Sequence, residues 1–124
     1  MSVDWPPDKA EQIDSLIDAH PVESGRCASL ARSILPIARE QDADAQGVIV
    51  KANAAQTRYP CMKPRIHGVW WFHHVTLGVE GHFVDALTGT QGTERAHYLT
   101  THFSNAPGEL RFDESDPDLE QTWL

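Results

Sequence analysis

Apolar positions along this chain recur with two periods. Between Asp8 and Ala19, Ile13, Leu16 and Ile17 fall on one stripe at helical spacing. Pro6-Pro7 introduces that helix and His20-Pro21 ends it, because a residue before proline is pushed out of helical space. A second helical pattern spans Glu23 to Glu40, with Leu30, Ile34, Ile37 and Ala38 as its inner stripe and Ala31 and Leu35 beside it. Ser24 or Gly25 is the expected cap, and Pro36 falls inside the pattern, where a kink is expected.

The period then changes to two. Gln46 to Lys51 reads as a first strand, and residues 53–68 as a long connection holding Tyr59-Pro60-Cys61-Met62-Lys63-Pro64. Two runs rich in aromatic and β-branched residues follow, Trp70 to Val79 and His82 to Leu87, joined by Glu80-Gly81. They predict a β-hairpin with a two-residue turn. Thr88 to Gly92 is expected to be a turn-rich loop, Glu94 to Phe103 a short helix or strand, and Gly108 to Phe112 a last strand. The chain reads as one domain over 1–124, with 1–8 an extended leader and 113–124 an acidic, loose tail that Trp123 could pin down.

The hairpin fixes which side chains share a face. With Glu80-Gly81 as the turn, Val79 faces His82, Thr76 faces Asp85 and His74 faces Leu87. Residues two apart on a strand, and residues facing one another, lie on the same side. His74 is therefore a diagonal neighbour of Asp85, while His73 points the other way. A one-residue bulge would reverse that choice.

Far upstream, Cys27 lies in the first turn of the second helix, where free backbone N–H groups and the helix dipole favour a thiolate. A thiol, an imidazole and a carboxylate in this arrangement are what an activated nucleophile requires: Cys27 to attack, His74 as its base, Asp85 to orient the base. Each also has a plainer reading alone. Cys27 suits a small buried hydrophobe, His74 a core histidine, and Asp85 a cap for the Thr88-Gly89 turn. One oxyanion donor would be the Cys27 backbone N–H; Gln12, Arg26 and Ser24 are the candidates for the second.

Composition narrows the partners. The 124 residues carry 18 acidic and 10 basic side chains, a net charge of −8, which argues against nucleic acid as a partner. No apolar run suits a signal peptide or a membrane span, and the two cysteines make no disulfide framework. A metal site built from His67, His73, His74, His82 and Cys61 is one alternative, weakened because adjacent strand histidines point to opposite faces. Another is a non-catalytic binding module using Trp70, Trp71 and the proline-rich loop, in which Cys61 is a loop thiol.

Three segments carry a resemblance: Arg26-Cys27-Ala28-Ser29-Leu30-Ala31-Arg32-Ser33-Ile34-Leu35-Pro36, the stretch Trp71 to Ala86, and Gly89-Thr90-Gln91-Gly92 to Tyr98-Leu99. Together, over roughly residues 24–103, they resemble the papain-fold toxin domains of bacterial polymorphic toxin systems. The resemblance implies an α+β, papain-like fold, with the helix bearing the nucleophile packed on an antiparallel sheet. It implies a thiol hydrolase acting on protein amides, either a cysteine peptidase or a glutamine deamidase, with Cys27 as nucleophile, His74 as base and Asp85 as orienter. It further implies no cofactor, a protein substrate, synthesis in a bacterial cytoplasm, delivery into a target cell, and a cognate immunity protein.

Overall fold

The computed structural model describes residues 2–22, 26–52, 62–65, 71, 73–105 and 108–115, with side chains as far as Asp113. It is an α+β arrangement. Helices α1 (Pro7–Ala19) and α2 (Cys27–Arg39) are followed by strands β1 (Gln46–Ala52), β2 (His73–Val79), β3 (His82–Asp85) and β4 (Gly89–Glu94). A 3₁₀ turn, a short helix α3 (Tyr98–His102) and strand β5 (Leu110–Ser115) complete the chain. All five strands pair antiparallel in the order β4-β3-β2-β1-β5.

The helices begin where the sequence allows. Pro7 occupies the first helical position of α1, with Asp8 in the first turn. In α2 the cap is Arg26, one residue later than the expected stretch, and Ser24 and Gly25 lie outside the described residues. Pro36 sits on the exposed side of α2, and the helix runs through it as one element. The buried stripe of α2 (Ala28, Leu30, Ala31, Ile34, Leu35 and Ala38) covers one face of the sheet. It packs there with Ile13, Leu77, Val79 and Val84, and with Ile49 and Val75 at the end nearest Cys27.

The opposite face is aromatic. Val48, Val50, Met62, Phe83, Leu87, Tyr98, Phe103 and Leu110 form its core. Arg95 lies over the Phe83 and Phe112 rings at 5.2 and 5.4 Å. Register puts His74 on this aromatic side, because His74 faces Val50 and Thr76 faces Val48 across the β1–β2 pair.

The hairpin has the expected register: Leu77 faces Val84, Gly78 faces Phe83 and Val79 faces His82. Glu80 and Gly81 take φ of 49° and 76°, the left-handed pair of a type I′ turn. A non-glycine residue costs energy in that region. Glu80 is held there by its N–H on Asp42 Oδ2 at 2.7 Å and its carboxylate on Gln41 Nε2 at 2.6 Å.

Four expectations need correction. Gly89 to Gly92 is not a loop but belongs to strand β4; its left-handed glycines absorb a register shift against β3 between Phe83 and Asp85. Trp71 lies outside β2, in an isolated bridge with Met62, and β3 ends at Asp85 rather than Leu87. Asp113 to Ser115 are not tail but strand, because β5 pairs along the full outer edge of β1; residues 116–124 lie outside the described part. The leader is extended yet packed: Val3 and Trp5 are buried, Val3 N–H donates to Gln91 O at 2.9 Å, and Trp5 Nε1 donates to Thr90 O at 2.7 Å.

Two glycines test this reading of β4. A Cβ at Gly92 would meet Phe83 O at 3.0 Å and Val84 Cγ2 at 3.1 Å, whereas one at Gly81 would meet nothing within 4 Å. Both have positive φ, so both alanine variants are strained. Gly81→Ala should cost about 1 kcal/mol and Gly92→Ala about 2–3 kcal/mol in urea unfolding. Equal costs would show that the β3–β4 contact is not as close as described.

Candidate active site

Cys27 is the first residue of α2, and its half-buried side chain packs beside Ala28, Ala31, Ile49 and Val75. The first intrahelical bond of α2 is Leu30 N–H to Arg26 O at 3.0 Å, so the amides of Cys27, Ala28 and Ser29 have no helical acceptor. The start of α2 is tied to the end of α1 by His20, which is buried. His20 Nδ1 donates to Leu16 O at 2.8 Å, leaving Nε2 to accept from Ser29 Oγ at 3.2 Å and Arg26 Nη2 at 3.4 Å.

Cys27 and His74 belong to opposite faces of the sheet, and a gap in the sheet lets them meet. The β2–β3 ladder stops at Leu77 and Val84. In an antiparallel pair, N–H groups alternate between the two neighbouring strands, so Val75 N–H is next in line toward β3. It donates instead to Cys27 Sγ at 3.5 Å. The sulfur thus lies along the part of β2 that β3 has left.

On the aromatic side, His74 Nε2 lies 3.2 Å from Asp85 Oδ2, both side chains being about 95% buried. With Nε2 committed to Asp85, Nδ1 is the nitrogen left for Cys27, whose thiol is near enough to His74 for each group to shift the other's pKa. Trp71 stacks on the imidazole with centroids 5.0 Å apart and planes at 17°, and Phe103 meets it edge-on at 6.4 Å. The ring is therefore walled by apolar surface and can turn little.

Asp85 accepts on both oxygens. Oδ1 takes Leu87 N–H at 2.8 Å and Thr88 N–H at 3.1 Å, closing the turn into β4. Thr88 Oγ1 reciprocates by accepting Asp85 N–H at 3.0 Å. Oδ2 takes His74 and also the Tyr98 hydroxyl at 2.6 Å.

The electrostatics follow from these contacts. For Asp85, burial works against the carboxylate, but the His74 hydrogen bond and charge, with Thr76 and Tyr98, hold it down to about 2. Burial likewise opposes charging His74, but the hydrogen bonds and charges of Asp85 and Cys27 push it up to about 10. Cys27 is raised by burial and lowered more by the His74 hydrogen bond and charge, with help from Val75 N–H; the net direction is down. His74 is thus held as imidazolium beside the Asp85 carboxylate, and it biases the neighbouring Cys27 thiol toward the thiolate.

No family model, curated protein or solved structure matches this chain.

The other sequence candidates fall elsewhere. His73 faces Lys51 across the β1–β2 pair, and the β2–β3 pairs carry no bulge that would exchange it with His74. His82 is at the far end of β3, its Nδ1 donating to Glu80 O at 2.8 Å. His67, Cys61 and Trp70 lie outside the described residues, and among those described no three His, Cys, Asp or Glu side chains are grouped to hold a metal. Arg26 is turned toward α1, its Nη1 donating to Ala19 O at 3.4 Å, and Gln12 is exposed on α1. Sequence reasoning gave no role to Tyr98 or to the stacking of Trp71. A buried tyrosine hydroxyl must find a partner, but spacing alone does not say which.

Two measurements check this site. Cys27 should be alkylated by iodoacetamide below the pH range of an ordinary thiol, and His74→Ala should move its alkylation midpoint up; an unchanged midpoint would remove the ion pair. Asp85→Asn should destabilise the fold by about 2–4 kcal/mol near neutral pH. Because the folded carboxyl lies at about 2 against an ordinary 3.8, this advantage is complete above 3.8 and disappears as pH falls through 2. A stability gap between wild type and variant that persisted at the acid end would contradict the assignment.

Proposed function

We propose that this protein is a papain-like thiol hydrolase acting on protein amide bonds, as a cysteine peptidase or a glutamine deamidase. The observation that carries this reading is the row formed by Cys27, His74 and Asp85, with the sulfur at a helix start and the carboxylate behind the imidazole. A module that only docked partners would gain nothing from a charged imidazole inside its core.

In the mechanism, the Cys27 thiolate attacks the amide carbonyl, and the carbonyl π electrons move to oxygen. That oxyanion is met by the Cys27 backbone N–H at the start of α2. The C–N bond then breaks as His74 gives its proton to the departing nitrogen, releasing an amine from a peptide or ammonia from glutamine. Neutral His74 next takes a proton from water, which attacks the thioester. The C–S bond breaks, and the thiolate and imidazolium are restored. Asp85 remains ionised throughout and holds the ring so that Nδ1 faces the sulfur.

The resemblance to polymorphic toxin domains supports a biological setting: a bacterial effector delivered into a target cell and neutralised in its producer by an immunity protein. The acidic balance of the chain fits a basic immunity partner better than nucleic acid. Among the described residues no helix is long and apolar enough to cross a membrane.

Expression in a susceptible bacterium should arrest growth, and Cys27→Ala should abolish the arrest, with at least a roughly thousandfold loss of amide turnover. Mass spectrometry of the target cell's proteins separates the two chemistries: new termini mark cleavage, and a Gln-to-Glu mass gain marks deamidation. Arrest that survives Cys27→Ala would end the proposal.

A further inference from the structure

Asp85 is a buried carboxylate whose acceptor sites are all in use. Two backbone amides fill Oδ1, and two donors meet at Oδ2. An ionised carboxylate offers about four lone-pair sites, so nothing further is needed from water. The two donors on Oδ2 are not alike. The Tyr98 hydroxyl is at 2.6 Å and the His74 nitrogen at 3.2 Å, so the tyrosine makes the closer contact with the oxygen the two share. Tyr98 itself is fully buried, packed on Phe83, Phe103 and the His102 ring.

We propose that Tyr98 is a positioning residue that sets how tightly His74 holds its proton, by competing with it for Asp85 Oδ2. This rests on the thiol-hydrolase reading of the same site. A hydroxyl donating to a carboxylate draws off negative charge that would otherwise stabilise the imidazolium. Without it, Asp85 turns its full charge on His74. The imidazolium is then a weaker acid, the thiolate beside it persists to lower pH, and protonation of the leaving nitrogen slows. Tyr98 keeps the ion pair from being too stable to react.

The charged and titratable neighbours of His74 come from every surrounding element. Cys27 approaches from α2, Asp85 from β3, His73 from β2 itself, and Tyr98 and His102 from α3. Burial, aided by the His74 charge, holds His73 and His102 below their ordinary 6.5. Tyr98 is driven upward by burial and by the Asp85 charge, so it stays a donor. Above pH 6.5 the alkaline limb therefore reports Cys27 and His74.

The test uses the full chain with Cys61→Ser, so that one thiol titrates. Thiolate absorbance and iodoacetamide rates give the Cys27 midpoint, imidazole NMR gives that of His74, and turnover of an amide substrate gives the chemistry. Tyr98→Phe keeps the ring and removes the hydroxyl. It should lower the Cys27 midpoint and raise the His74 midpoint by about half to one pH unit, while turnover falls about three- to tenfold. Reactivity and turnover thus move in opposite directions, which a loss of packing would not produce. Fluorotyrosine at position 98, a stronger donor of the same shape, should shift both midpoints the other way and serves if the phenylalanine variant does not fold. Midpoints that stay put, or that move in the reverse sense, overturn the role of Tyr98. His74→Ala in the same background keeps the two ideas apart. If it also leaves the Cys27 midpoint unmoved, the hydrolase reading falls together with the Tyr98 proposal; if it moves the midpoint while Tyr98→Phe does not, only the positioning role falls.

Discussion

Asp85 divides its two oxygens between the backbone and the site, and both halves of the structure depend on that division. Oδ1 binds the amides of Leu87 and Thr88 and so bends the chain out of β3 into β4. Because the chain bends there, β3 stops pairing with β2 after Val84, and the β2 edge at Val75 is left open for the Cys27 sulfur. Oδ2 holds the imidazole that this sulfur must meet. The turn that opens the gap and the bond that holds the imidazole thus come from one side chain.

The gap also resolves a geometric conflict. A helix packed on one face of a sheet cannot present a side chain to a residue on the other face through an intact ladder. Here α2 covers the face of Val75, Leu77 and Val79, while His74 shares its face with Val50, Phe83 and Tyr98. The meeting is possible only beyond the last β2–β3 pair, and Cys27 is at the very start of α2, where the helix reaches that point. His20, linking Leu16 O to Ser29 and Arg26, fixes the helix start at the required height.

Part of this was legible in the sequence, and for definite reasons. The Glu80-Gly81 turn sets the hairpin register, and register alone selects His74 over His73 as the neighbour of Asp85. The helix-start position of Cys27 was legible from the apolar stripe that follows it. What could not be read depends on contacts between distant segments. β4 hides because its glycines look like loop; they are needed for a register shift against β3 that only the partner strand reveals. β5 extends through acidic residues because the β1 edge is there to pair with them. The stacking of Trp71 on His74 requires a residue outside β2 to fold back over the strand. For Asp85, the turn cap expected from the sequence is made by Oδ1, while Oδ2 makes the contact to His74 that the alternative reading requires.

The energetics bear on why such a row would be kept. Taking ions out of water costs several kcal/mol each, even when they are well paired, and a small domain has only about 5–15 kcal/mol of stability in total. Three apolar residues could fill the same space at no such cost, and the aromatic wall of Trp71 and Phe103 shows that this side of the sheet accepts them readily. The hydrogen bonds to Asp85 are also more than a turn cap needs, since Oδ1 alone closes the turn and Oδ2 is spent on His74 and Tyr98. Departures from the most stable arrangement cluster where a protein does chemistry. A sulfur lowered in pKa by an imidazole, and an imidazole held by a fully satisfied carboxylate, form such a departure, and thiol chemistry gives it a use that packing does not.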